Sequence, residues 1–266
     1  MELKCPLCGG RLAASEKTLR CSAGHSFDMA RQGYIHLLPV QSKHSAAPGD
    51  TRQQVLSRRS FLETAAYAPI CDALTEAARA RHISGQLLDA GCGEGWYSAR
   101  LASALGLALT GLDISKEAVR CAAAKYKGYQ WLCASASRLP VEDGSVDLLT
   151  SLFAVTFPKE FRRVLKKDGY LFQVLAAQDH LMGLKNIIYD EILLREKDSV
   201  PDLPGFALEE SIPIRFTFTV EGEQVAALFS MTPHVYRIGP AGAERLRATQ
   251  RLTDTASCVL NIYRPL

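Results

Sequence analysis

The run Leu87-Leu-Asp-Ala-Gly-Cys-Gly-Glu-Gly-Trp-Tyr97 constrains the fold more than any other stretch of the chain. A short apolar segment ends in a tight glycine turn, and a segment compatible with helix follows at once. Gly91, Gly93 and Gly95 let the backbone pass close to a ligand, because no Cβ intervenes. The spacing is Gly-x-Gly-x-Gly. A nicotinamide dinucleotide site needs Gly-x-Gly-x-x-Gly, so the third glycine comes one residue too early for a dehydrogenase.

From Gln86 onward strand and helix patterns alternate, the signature of a parallel sheet with crossover helices. Strands are expected near 86–90, 108–113, 129–133, 146–152 and 170–175, with helices near 95–105, from Ser115 and near 159–166. Ser115 is a good N-cap. Late strands near 212–220 and 256–263 complete the sheet. Ahead of this body, helices are expected from Thr51 and over 69–81, with Pro69 in a first turn and Tyr67 between the two.

Asp113 closes the second strand, 24 residues after Asp89. An acid there accepts hydrogen bonds from both hydroxyls of a ribose; the plainer alternative is an acid stabilised by the dipole of the following helix. Ser135 and Leu139 follow the third strand, where an adenine pocket would lie. The loop Phe153-Ala-Val-Thr-Phe-Pro158 follows the fourth strand at the expected substrate edge, since parallel sheets bind ligands at the carboxyl ends of their strands. Phe153 or Phe157 would stack on a base there or else pack on the core. His180 follows the fifth strand. Glu160 and Asp179 lie near strand ends, yet nothing marks either as a general base rather than a surface acid.

The N-terminus has a different chemistry. Cys5-Pro-Leu-Cys8 is a tight knuckle, and after a twelve-residue spacer comes Cys21-Ser-Ala-Gly-His25. Two close pairs of soft or borderline ligands suit tetrahedral zinc on Cys5, Cys8, Cys21 and His25, with His36 or His44 as substitutes for the histidine. A module this short lacks a sufficient core, so the metal supplies folding energy and is structural. No apolar run is long enough to span a bilayer, and Met1–Cys5 is too polar for a signal peptide. A cytoplasmic location follows, where thiols stay reduced and the eight cysteines are ligands or buried residues. Net charge is +3, but residues 1–60 hold nine Lys/Arg against four acids, which leaves −2 for the remainder. A basic module on a near-neutral body suits a nucleic-acid partner; a solvated basic surface is the alternative. The chain divides into a zinc-binding, RNA-docking module at 1–40, a linker and helices at 41–85, and an α/β catalytic domain at 86–266.

With Asp89 just ahead of the glycines, the turn resembles the first motif of class I S-adenosylmethionine (SAM)-dependent methyltransferases, Rossmann-like α/β proteins. Over nearly the whole chain the sequence resembles the bacterial 23S rRNA (guanine-N1-)-methyltransferase A family. The resemblance rests on Cys5-x2-Cys8-x12-Cys21-x3-His25, Phe27–Tyr34, Leu37–Val40, Pro48-Gly-Asp50, Arg58–Leu62, Tyr67 and Leu88–Gly95. It continues in His180-Leu-Met182, Leu184-Lys185, Tyr189 and Met231-Thr-Pro233. It implies methylation of N1 of a guanine in hairpin 35 of 23S rRNA, zinc on the four N-terminal ligands, and cofactor contact by Tyr67, Gly93, Glu94 and His180. It also implies a homodimer. Two departures stand out: Val155 follows Phe153-Ala154 where the family often has proline, and Lys167-Asp-Gly169 replaces Pro-Gly-Gly. The glycine and acid motifs fit equally a methyltransferase of a small molecule or protein, or a non-catalytic SAM- or RNA-binding regulator.

Overall fold

The run Leu87–Ala90 is buried on both faces, Asp89 included. It forms β6 (Gln86–Ala90), a central strand of an eight-stranded sheet in the computed structural model, which describes residues 1–39, 48–192 and 198–266. Val40, His44 and most of the expected 41–50 linker lie outside the described residues.

Four short strands, β1 (Leu3–Lys4), β2 (Arg11–Ser15), β3 (Thr18–Arg20) and β4 (Ser26–Asp28), form an antiparallel ribbon. The next strand, β5 (Tyr34–His36), leaves the ribbon and joins the large sheet. Then follow α1 (Arg52–Glu63), α2 (Ala68–Ala80), β6, α3 (Trp96–Leu105), β7 (Ala108–Asp113), α4 (Lys116–Lys125), β8 (Gln130–Cys133) and β9 (Val146–Leu152). The C-terminal part holds α5 (Pro158–Val164), β10 (Leu165–Ala176), α6 (Met182–Ile188), β11 (Phe206–Glu221), α7 (Glu223–Ser230), α8 (Pro240–Ala248) and β12 (Arg251–Pro265). The large sheet runs β11-β12-β10-β9-β6-β7-β8-β5. Strands β5 to β10 in it pair in parallel, and β12 runs antiparallel between β10 and β11.

Local chemistry places the expected elements. Thr51 and Gln54 form a capping box at the start of α1, and the Ser115 hydroxyl caps α4. Pro69 occupies the first turn of α2, where its missing N–H costs nothing. Lys167-Asp-Gly169 falls inside β10, in a stretch with no register partner on β9. The strand starts at Leu165, and its register on β9 breaks between Leu165 and Tyr170. No described helix is long and apolar enough to cross a membrane.

Alternate residues of the central strands feed two cores: Leu87 and Leu148 one face, Leu88 and Leu149 the other. The first face is covered by helices, including α1 to α4. On the second, the ribbon residues Leu3, Cys5, Leu12, Leu19 and Cys21 belong to the same apolar cluster as Leu88, Leu149 and Phe161. The Lys4 N–H also donates to the Pro140 carbonyl at 2.9 Å. The ribbon is therefore a lid on the sheet, not a free arm.

Candidate active site and metal centre

Each cysteine knuckle is a backbone turn whose glycine takes the left-handed region, Gly9 at φ 75° and Gly24 at φ 84°. Gly9 N–H donates to the Cys5 carbonyl at 2.8 Å, and Gly24 N–H to the Cys21 carbonyl at 3.0 Å. The ligand atoms of Cys5, Cys8, Cys21 and His25 all lie within 4.8 Å of one another. Cys8 Sγ is 3.6 Å from Cys21 Sγ, and His25 Nδ1 is 3.6 Å from Cys5 Sγ and 3.3 Å from Cys21 Sγ. Zinc with sulfur ligands at about 2.3 Å in a tetrahedron needs separations of about 3.8 Å, so the set fits the ion. His25 is the histidine of the cluster; His36 lies on β5, apart from it.

The glycine turn follows β6, and its three glycines have different reasons to be glycine. All have positive φ: 94° at Gly91, 55° at Gly93 and 83° at Gly95. A Cβ on Gly91 would lie 2.7 Å from the Ala154 Cβ, in the loop after β9. A Cβ on Gly95 would lie 2.5 Å from the buried Trp131 ring, so this glycine serves the packing of α3 on the sheet. A Cβ on Gly93 would meet only the Arg58 side chain, at 3.9 Å, and would otherwise project into open space. That open space leaves the Gly93 backbone accessible from the cavity.

The acids around the turn are buried. Asp89 accepts from the Ser98 hydroxyl and, at 2.7 Å, from the Thr150 hydroxyl, tying β6 to α3 and β9. Burial pushes its carboxyl up to about 6. Asp113 accepts from the Gly93 N–H at 2.9 Å and the Ser115 N–H at 2.8 Å. It thereby fixes both the glycine turn and the start of α4, and burial raises its carboxyl. Glu94 is 4% exposed, and its Oε1 is buried with no hydrogen-bond partner. Burial pushes Glu94 up to about 7. An orphaned acceptor beside an open cradle points to a ligand donor that completes it. The Tyr67 and Tyr97 hydroxyls are likewise buried and unpartnered, and burial raises both.

A cavity of about 1010 Å³ opens at the turn. Of the nine cofactor residues expected from sequence, Tyr67, Asp89, Gly91, Gly93, Glu94 and His180 line it together. Asp113 is not among the lining residues and touches the wall only as the acceptor of the Gly93 N–H. Gly95 packs on Trp131, and the Ser135 hydroxyl bonds to the Ser137 hydroxyl at 2.8 Å. Leu139 is buried in the ribbon-facing core, and its N–H donates to Glu160 at 2.8 Å. Phe153 lines the cavity, half-exposed and with φ 54°, whereas Phe157 begins α5 and packs against Phe161 at 6.5 Å. His180 is oriented by the backbone of Ser257, whose N–H and carbonyl lie 3.1 and 3.0 Å from its Nδ1.

Sequence reasoning missed several wall residues. Arg58 reads as helix surface from periodicity, yet it pairs with Asp50 at 2.6 Å in the cavity wall. Tyr97 directly follows the glycine motif, and that adjacency was its signal. His234, Tyr236 and Arg237 also line the cavity, and no motif marks them.

Residues 3–46 match the family model for the N-terminal zinc ribbon of RlmA, and residues 88–173 match a methyltransferase domain model. A solved structure from Anaeromyxobacter dehalogenans, provisionally described as a type II methyltransferase, superposes with TM-score 0.53. It is 18% identical and covers 72% of this chain and 95% of that one, a likeness of fold alone. Sheet order, glycine cradle and metal cluster together define a class I SAM-dependent methyltransferase with a structural zinc ribbon. The 23S rRNA (guanine(748)-N(1))-methyltransferase of Streptomyces fradiae is 32% identical over 280 residues, covering 99% of this chain and 97% of that protein. A Micromonospora griseorubida protein with a provisional 23S rRNA (guanine-N(1)-)-methyltransferase assignment is 33% identical over 294 residues, covering 99% and 97%. The chain belongs to the 23S rRNA (guanine-N1-)-methyltransferase family.

Proposed function

We propose that this protein transfers a methyl group from SAM to N1 of a guanine in hairpin 35 of 23S rRNA. The observation that carries the reading is the continuity of one cavity, from the open cradle at Gly93 and the orphaned Glu94 to the half-exposed Phe153 at its mouth. Ligand pockets run to roughly 300–1,000 Å³, so this volume accommodates a nucleoside cofactor and a base together.

The sulfonium of SAM supplies a methyl carbon already activated for displacement. The chain must align guanine N1 with that carbon, exclude water and remove the N1 proton. Gly91 and Gly93 allow close backbone approach. Glu94 accepts a hydrogen bond from the cofactor, and the lone pairs of Asp113 not used by Gly93 and Ser115 serve the ribose. Tyr67 and His180 close the wall against the cofactor. Ser135 reaches the adenine edge by exchanging its bond to Ser137. Phe153 stacks on an extruded guanine, as recognition of an unpaired base requires. Val155, 70% exposed beside it where the family often has proline, shapes that mouth.

The ribbon exposes Arg11, Lys17 and Arg20, and the turn that follows it exposes Arg31. Arg11 pairs with Glu2, and the others offer charge to phosphates. An rRNA substrate is met in the cytoplasm, the location this reading assigns. The homodimer that the family resemblance implies is checked by light scattering of the purified chain. The function is tested with labelled SAM and a hairpin 35 transcript, followed by primer extension. A stop at one guanine is expected; label that stays out of the hairpin contradicts the proposal.

A further inference from the structure

The cavity continues from the glycine turn to a second wall that the cofactor motif does not use. The C-terminal end of α6 and the short 3-10 turn Pro233–Tyr236 build this wall. There the Tyr189 hydroxyl lies 2.8 Å from Nδ1 of His234, and the two rings meet edge to face at 5.5 Å. Both residues are half-buried. Tyr189 caps α6, whose first turn is fixed by Asp254 accepting from the Gly183 and Leu184 N–H groups at 2.9 and 2.7 Å. The Thr232 hydroxyl accepts from the His234 N–H at 3.4 Å and donates to the Phe229 carbonyl at 2.8 Å. Two fixed backbone elements thus present one hydroxyl–imidazole pair to the cavity.

Guanine N1 carries a proton at neutral pH, so its methylation needs an acceptor. The acids named from sequence do not supply one. Glu160 accepts from Leu139 N–H and from Arg163, both at 2.8 Å, and Asp179 pairs with Arg215; neither lines this cavity. In the wall, Asp50 is paired with Arg58, Asp89 is bonded to Ser98 and Thr150, Glu94 belongs to the cofactor turn, and Glu191 is a solvent-exposed carboxylate.

We propose that Tyr189 and His234 form the relay that takes the N1 proton during methyl transfer. This rests on the guanine-N1 reading above. The Tyr189 oxygen accepts the N1 proton while its own passes to Nδ1 of His234. The N1–H electron pair becomes the N1–CH3 bond, the C–S pair stays on sulfur as a neutral thioether, and the imidazolium then releases its proton to water. No further reactant is required.

The charged groups that line this end of the cavity are Lys185 on α6, Glu191 after it and Arg237 beyond the turn, and next to Tyr189 in sequence Asp190 pairs with Arg245 on α8. Arg245 bonds the Ile187 carbonyl at 2.6 Å and pairs with Asp190 at 2.8 Å. His180 is a second imidazole in the described wall, and the reading above assigns it to the cofactor.

The test uses the full chain with Tyr189→Phe and His234→Gln. Single-turnover transfer of labelled methyl to the hairpin transcript is measured from about pH 6 to about pH 9.5, with SAM and RNA dissociation constants measured alongside. Both variants should bind SAM and RNA as the wild type does and lose about 10²-fold or more in rate at about pH 7. The wild-type rate should fall as the imidazole protonates. His234→Gln should lack that acid limb and gain rate toward alkaline pH, where N1 ionises unaided. Should His234→Gln melt early, Tyr189→Phe, which removes one oxygen, carries the test. Variant rates within several-fold of wild type, or an intact acid limb in His234→Gln, overturn the relay. A pair that only ties two segments together would change stability or affinity and leave the pH profile alone. A wild type that methylates no rRNA overturns the guanine-N1 reading and this inference with it, a result distinct from active wild type with equally active variants.

Discussion

Gly93→Ala and Gly95→Ala differ by two positions in one motif and should fail in opposite ways. At Gly95 the added Cβ would lie 2.5 and 3.0 Å from Trp131 carbons and 3.1 Å from the Ala122 Cβ. Trp131 cannot swing away: its ring is 1% exposed, and its N–H donates to the Tyr126 carbonyl at 2.9 Å. Left-handed backbone costs an alanine about 1–2 kcal/mol, and overpacking a filled core adds about 1–3 kcal/mol. A loss of about 2–5 kcal/mol is a large fraction of the roughly 5–15 kcal/mol that holds a folded domain. At about 2–4 °C per kcal/mol for a chain of this size, Tm should fall by roughly 5–20 °C. At Gly93 the backbone cost of about 1–2 kcal/mol applies without the clash, since Arg58 Cδ is the only neighbour, at 3.9 Å. Gly93→Ala should therefore melt within a few degrees of wild type while its methyl enters the cofactor cradle and weakens SAM binding by about tenfold or more. Thermal unfolding without cofactor and titration calorimetry with SAM read the two effects separately. A Gly95→Ala protein that melts like wild type, or a Gly93→Ala protein that binds SAM normally, would refute this division of labour.

Burial holds Glu94 at about 7 against an ordinary 4.5, so the folded state binds this proton more tightly than the unfolded chain. Stability should fall as pH rises from about 4.5 through about 7, and Glu94→Gln should remove that share, on the order of 3–4 kcal/mol at about pH 8, while Asp89 keeps its own. Denaturant melts at about pH 5 and about pH 8 check it, and an unchanged slope in the variant counts against it. Chelation of zinc should abolish amide protection in β1 to β4 yet leave β5 protected through β8. It should also lower the Tm of the body, because the ribbon shares an apolar cluster with the sheet; protection that survives metal removal rejects the structural role. Arg20→Ala combined with Arg31→Ala should reduce the slope of log affinity against log salt by about 1–2 on the hairpin transcript. A slope equal to wild type removes the ribbon from docking.

Strands β6 to β9 were each legible because they are short and largely apolar, β6 running into the glycine turn and β7 into the Ser115 N-cap, whereas the ribbon strands β1 to β4 and the order in which the strands lie side by side were not. The metal cluster was legible because four ligands lie in two close pairs. Strand β5 was hidden: Tyr34-Ile-His36 is three residues long and gains its strand character only by pairing with Trp131–Cys133, about a hundred positions away. The lengths of β11 and β12 were hidden for the same reason, since their long antiparallel register depends on non-local pairing. In the site, the glycine motif did not reveal that Gly95 answers to Trp131 and Gly93 to open space. Those reasons lie in the partner that each position meets. Tyr189 and Met231-Thr-Pro233 carry part of the family resemblance, but the pairing of Tyr189 with His234 was not legible, because the two come from segments 45 positions apart.

Nucleoside mass spectrometry of 23S rRNA, from cells with and without this protein, tests the central claim most directly. The account predicts that one N1-methylguanosine, mapping to hairpin 35, disappears with the protein and returns on incubating that rRNA with the purified chain and SAM. An identical nucleoside profile in the two rRNAs, with no methyl incorporated in vitro, would contradict it.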